Sequence, residues 1–153
     1  MRIVTVLLLI TGLVLSSARP AIAQPPTILT VSGSPAPMVI ATVVPGVDPA
    51  TVSNAATTYY IRVKVPSGTG TVTAQLDSPM PLGTTLSLTM TASIGATSLG
   101  AVSLNTTAQS IVTGIQKENG TTLAMTYVFA ASAAAGVVPS QSRTVTLTLF
   151  TVP

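Results

Sequence analysis

The chain has 153 residues and a formal net charge of +3, from six Lys and Arg against three Asp and Glu, with no Cys, His or Trp. Without His or Cys there can be no Ser-His-Asp or Cys-His nucleophile and no imidazole or thiolate metal site, and three carboxylates leave little for acid–base pairs or a calcium cage. Only 6% of residues are charged, against about a quarter in an ordinary domain, so Thr, Ser, Asn and Gln must cover the surface, and such a surface resists self-association poorly.

The chain opens MRIVTVLLLITGLVLSSARPAIAQ. Arg2 is a positive start, Ile3 to Leu15 is an apolar run, and Ala21-Ile22-Ala23 is a small-x-small cleavage site. These are the three parts of a secretory signal peptide, expected over residues 1–23. The apolar run, 13 residues long, falls short of the roughly 20 that span a bilayer. Arg2 and Arg19 would leave with it, so six cations become four, Arg62, Lys64, Lys117 and Arg143, facing Asp48, Asp77 and Glu118; four less three is +1. Four scattered cations without a basic cluster offer nucleic acid no footing.

Residues 24–36 are Pro-rich around one short extended run, Ile28 to Val31, and read as a mobile arm or as a first strand tied into a sheet. Residues 37–153 read as one domain. In TYYIRVKV, Tyr59, Ile61, Val63 and Val65 face one way while Thr58, Tyr60, Arg62 and Lys64 face the other. The same alternation groups Val72, Ala74 and Leu76; Leu86, Leu88, Met90 and Ala92; Val102 and Leu104; Leu123, Met125, Tyr127 and Phe129; and Val145, Leu147 and Leu149. Period two with β-branched residues marks half-buried strands. Gly and Pro turn signals punctuate them, and Lys117-Glu118-Asn119-Gly120 reads as a hairpin between Ile111–Ile115 and Leu123–Phe129. The expectation is an all-β fold, a single antiparallel β-sandwich of about seven to nine short strands, with a closed barrel as the alternative.

Asp48, Asp77 and Glu118 all fall at turns, where carboxylates serve local hydrogen bonding, so no catalytic, cofactor-binding or metal residue is expected. Tyr60, Arg62 and Lys64 share one strand face and form the one local combination of aromatic and cationic groups, a candidate face for a small partner such as a glycan. Phe150 and Val152 fall on the threonine side of RTVTLTLFTVP and are candidates for contact with a neighbour.

The stretches SLGAVSLNTTAQSIVTGI and LAMTYVFAASAAAGVVPSQSRTVTLTLF resemble the C-terminal half of small secreted bacterial proteins of the spore coat protein U and fimbrial, pilin-like, subunit type. The resemblance covers roughly residues 98–150 and the signal peptide. It implies an immunoglobulin-like sandwich and polymerisation by strand donation between subunits, with Ile28, Leu29 and Val31 as the candidate donor arm. Many fimbrial subunits carry a Cys pair and a Tyr near the C-terminus; here there is no Cys, and Val152 precedes Pro153. The resulting expectation is a non-enzymatic structural or surface-assembly protein, periplasmic, extracellular or on the cell surface, that self-assembles through edge strands. It would need no cofactor, bind no nucleic acid and span no membrane after signal cleavage. The alternative is a monomeric extracellular module that binds a surface protein or glycan.

Overall fold

The structure is a computed structural model and describes residues 27–42, 44–64 and 68–152. The signal-peptide segment, the start of the Pro-rich arm and Val65 lie outside the described residues. Among the described residues, nine strands follow in chain order: β1 (Ile28–Ser32), β2 (Val52–Val63), β3 (Thr69–Leu76), β4 (Thr84–Met90), β5 (Thr97–Ser98), β6 (Val102–Ser103), β7 (Gln109–Ile115), β8 (Glu118–Ala131) and β9 (Val145–Val152). They form two separate antiparallel sheets, not a closed barrel. One has the order β1-β2-β8-β4-β6 and the other β5-β7-β3-β9.

The alternation in sequence becomes the division between inside and outside. Tyr59, Ile61 and Val63 of β2, Leu86, Leu88 and Met90 of β4, and Met125 and Tyr127 of β8 are buried on the inner face of the five-stranded sheet. They share one apolar cluster with Val72, Ala74 and Leu76 of β3 and Ile111, Val112 and Ile115 of β7 from the other sheet. Successive side chains of a strand point to opposite faces, so β2, β3, β4 and β8 deliver every second residue to this core, while β7 buries the adjacent Ile111 and Val112 where its register with β3 shifts. Leu104, just past β6, is buried in the same cluster, and its N–H donates to the Leu86 carbonyl at 2.8 Å.

The structure selects one of two sequence alternatives at the Pro-rich segment and departs from the sequence reading at two further elements. The Pro-rich segment contributes β1, which pairs with β2 over five residues, from Ile28↔Arg62 to Ser32↔Thr58. β2 begins at Val52, well before the Thr58 alternation, with a bulge between Asn54 and Thr57 where the Asn54 side chain accepts the Ala56 N–H at 3.0 Å. The expected hairpin at Lys117–Gly120 is instead a crossing between sheets, because β7 belongs to the four-stranded sheet and β8 to the five-stranded one. Asn119-Gly120 lies inside β8, beside the irregularity where β2 and β8 slip register between Ile61 and Val63. Asn-Gly favours positive φ wherever it is needed, and here Gly120 uses it, at φ 121°, within a strand. The alanine run forms a single 3-10 turn over Ala133–Ala135.

Tyr59 is almost wholly buried in the core, and its hydroxyl donates to the Thr91 carbonyl. Burial, with the nearby Glu118 carboxylate adding to it, pushes the Tyr59 phenol up to about 12 from its ordinary 10.0, and burial raises Tyr127 as well. Between those two values an unfolded chain ionises Tyr59 while the folded one keeps its proton, so stability is intact below pH 10 and falls as pH climbs toward 12. Chemical denaturation across this range should show that alkaline loss, and Tyr59→Phe should make it shallower. At neutral pH, Tyr59→Phe should cost about 1–3 kcal/mol, because the Thr91 carbonyl loses its donor.

Candidate interaction surfaces

Three carboxylates could in principle carry chemistry, and each is held by backbone. Asp48 accepts the Ala133 N–H at 2.7 Å and so ties the long β1–β2 connection to the end of β8. Asp77 accepts the Thr144 N–H at 3.1 Å while its own N–H donates to the Thr144 carbonyl at 3.0 Å. Beside it, Arg143 donates from Nε and Nη2 to the Pro79 carbonyl at 3.1 and 2.9 Å. Together these contacts anchor the start of β9 against the end of β3. Glu118 accepts from the Thr121 hydroxyl at 2.8 Å and the Gly120 N–H at 3.3 Å. Glu118 opens β8 and the Asp48 contact lies just beyond its far end. At about 3.3 Å per residue the two are roughly 40 Å apart, so they do not form a pair flanking one substrate. Among the described residues, no group of three or more acidic side chains could hold a metal ion.

Tyr60, Arg62 and Lys64 do share one face, the outer side of the five-stranded sheet, and all three are half-buried. Their neighbours across the ladder are Thr30 and Ile28 on β1 and Thr122 on β8. Tyr60 leans over Gly120 so closely that a Cβ on Gly120 would run into the phenol hydroxyl and ring. The ring thus covers backbone that a glycine leaves bare, a device known from designed sheets, and that side of it is not free for stacking. Lys64 Nζ donates to the Asn119 side-chain oxygen at 2.6 Å. Arg62 Nε is shielded from solvent and has no hydrogen-bond partner. Sequence reasoning placed these residues on one face but missed Gly120 as the floor beneath Tyr60, because that contact depends on the pairing of β2 with β8.

A second surface lies where the two sheets end side by side. β1 and β9 are edge strands of different sheets, and between them runs an open groove of about 440 Å³ lined by Leu29, Val31, Tyr127, Val145, Leu147 and Leu149. Val145, Leu147 and Leu149 point toward the core, as their alternation predicts, yet each is only partly covered. Of the candidate donor-arm residues, Leu29 and Val31 line this groove as part of β1, with Val31 45% exposed, while Ile28 pairs opposite Arg62. Phe150 and Val152 stand on the opposite face of β9, across from Thr71 and Thr69, and are 54% and 64% exposed. The groove was not foreseen from sequence, because strand patterning says which face is apolar and not which strand lies over which.

Compared with protein-family models, curated proteins and solved structures, the chain matches none. Among the described residues, no helix is long and apolar enough to cross a membrane.

Gly120→Ala should destabilise the protein by about 1–3 kcal/mol, through overpacking against Tyr60 and strain at positive φ. The double variant Gly120→Ala/Tyr60→Ala should recover part of that loss, and a double-mutant cycle of denaturation free energies measures the coupling.

Proposed function

We propose that this is a secreted, non-enzymatic structural or surface-assembly protein, a fimbrial- or coat-like subunit built as an immunoglobulin-like sandwich, that associates with further copies through its open lateral edge. The observation that carries this reading is the groove between β1 and β9, where core-directed Leu29, Val145, Leu147 and Leu149 are left partly uncovered. An inner face exposed at a strand edge offers both apolar area and unpaired backbone groups, which is what strand addition uses. The chain's low charge adds to this, since little electrostatic repulsion opposes contact. Backbone hydrogen bonds on all three carboxylates suit residues that stabilise loops. The leader-like residues 1–23 support export to the periplasm, cell surface or medium.

The second reading is a monomeric extracellular module for an anionic glycan or surface protein, and the placing of Arg62 and Lys64 beside Tyr60 on one outer face favours it. An Arg fork and a Lys ammonium recognise carboxylates.

Negative-stain microscopy and native mass of the leader-free protein separate the two. Assembly predicts multimers or filaments whose population rises with concentration. A strictly monomeric species at high concentration, with glycan binding abolished by Arg62→Ala, would replace the first reading with the second.

A further inference from the structure

The two sheets have four edges, and they are unequally protected. β5 and β6 are two residues each. β1 is five residues, with Pro25 and Pro26 just before it and Pro35 and Pro37 just after. Short length and proline are the usual means of blunting an edge. β9 is longer than the other three edge strands: it runs eight residues, VTLTLFTV, with no charge, Pro or Gly within it, and Pro153 follows only at its end. It pairs with β3 over eight consecutive residues without a bulge, from Thr69↔Val152 to Leu76↔Val145, so its other side presents a straight row of unpaired backbone groups.

We infer that β9 pairs with β9 of a second copy, antiparallel about a two-fold axis through Thr148, joining the two four-stranded sheets into one of eight strands. This rests on the surface-assembly reading and gives it a geometry. The occupant follows from self-complementarity. Residues directly opposite in an antiparallel pair point to the same face, so a two-fold between identical strands must pass through a residue paired with itself. Centring on Thr148 sets Leu147 against Leu149 twice on the inner face. On the outer face it sets Thr148 against Thr148 and Thr146 against Phe150. Centring one residue later would instead set Leu147 against Thr151, and centring one earlier, on Leu147, would keep only Val145–Leu149 paired within the strand; centring on Thr148 keeps seven of its eight residues paired, with Val145 against Thr151 at each end. No charge within β9 opposes its copy. The partner's Leu147 and Leu149 extend the floor of the groove that Leu29 and Val31 overhang, and Phe150, exposed on the outer face, gains a cross-strand neighbour. Such an interface is isologous and closes on itself, unlike head-to-tail donation of an arm.

The absence of Cys makes the test direct. Opposed residues in an antiparallel pair lie about 4.5–5.5 Å apart at Cα, within the roughly 4.4–6.8 Å that a disulfide bridges. The full chain carrying Thr148→Cys should oxidise to a covalent dimer at least tenfold faster than one carrying Thr97→Cys, an exposed position on the opposite edge of the same sheet. Thr148→Lys should raise the concentration at which dimers form at least tenfold, because it sets two like charges across the axis. Equal oxidation at the two positions overturns the inference. Larger assemblies without Thr148 cross-linking overturn the two-fold and leave surface assembly standing. Monomer at every concentration overturns both.

Discussion

The inner faces of the two sheets meet in one apolar layer, and everything else in this molecule is arranged around keeping that layer covered. Tyr59, Ile61, Leu88, Met90 and Met125 from one sheet and Val72, Ile111, Val112 and Ile115 from the other are almost wholly buried. At roughly 25 cal/mol per Å² of apolar surface, such residues supply the main force for folding, and the chain has no disulfide to add to it. β2 and β8 are the central pair that lets the layer form. They are the two longest strands, of 12 and 14 residues, and they carry both register shifts of the five-stranded sheet. Bulges raise local twist, so a long pair that carries them can bend along the other sheet.

The layer is complete in the middle and incomplete at one side. Around β4 and β7, side chains from the two sheets close on one another, and Leu104 fills the space beyond β6. On the other side β1 lies opposite β9, the inner residues of both strands are half-covered, and a groove remains. The same force that closes the core therefore acts at this side on whatever apolar strand comes near. In the proposed assembly, low charge permits such approach and the length of β9 directs it to that edge. The surface-assembly reading joins the groove to the composition through this single physical cause.

Four of the charged groups, Asp48, Asp77, Glu118 and Arg143, bind backbone. Asp48 and Asp77 close long-range connections that no turn residue alone could close, holding Ala133 and Thr144 from 85 and 67 residues away. Arg143 reinforces the second of these through the Pro79 carbonyl. In a chain with so few ions, these contacts fix where β8 ends and β9 begins, and thus the position of the edge itself. Arg62 and Lys64 remain on the outer face near Tyr60, with Arg62 Nε lacking a partner.

Local pattern determined much of this protein. Period two along the strands, interrupted by Gly and Pro, was enough for an all-β chain of two antiparallel sheets, and for which residues of β2, β3, β4 and β8 face inward, because strand geometry sends alternate side chains to opposite faces whatever the fold. It also placed Tyr60, Arg62 and Lys64 together, since they lie on one strand. Pairing between distant strands was beyond it. Asn119-Gly120 has the chemistry of a hairpin turn, and only the assignment of β7 and β8 to different sheets shows that Gly120 works instead as a gap under Tyr60. Val145, Leu147 and Leu149 read as core residues by their alternation; that they are half-covered follows from β9 ending its sheet, with only β1 opposite. Which strand stands at an edge is set by contacts between residues far apart in sequence, so the groove belongs to the tertiary structure alone.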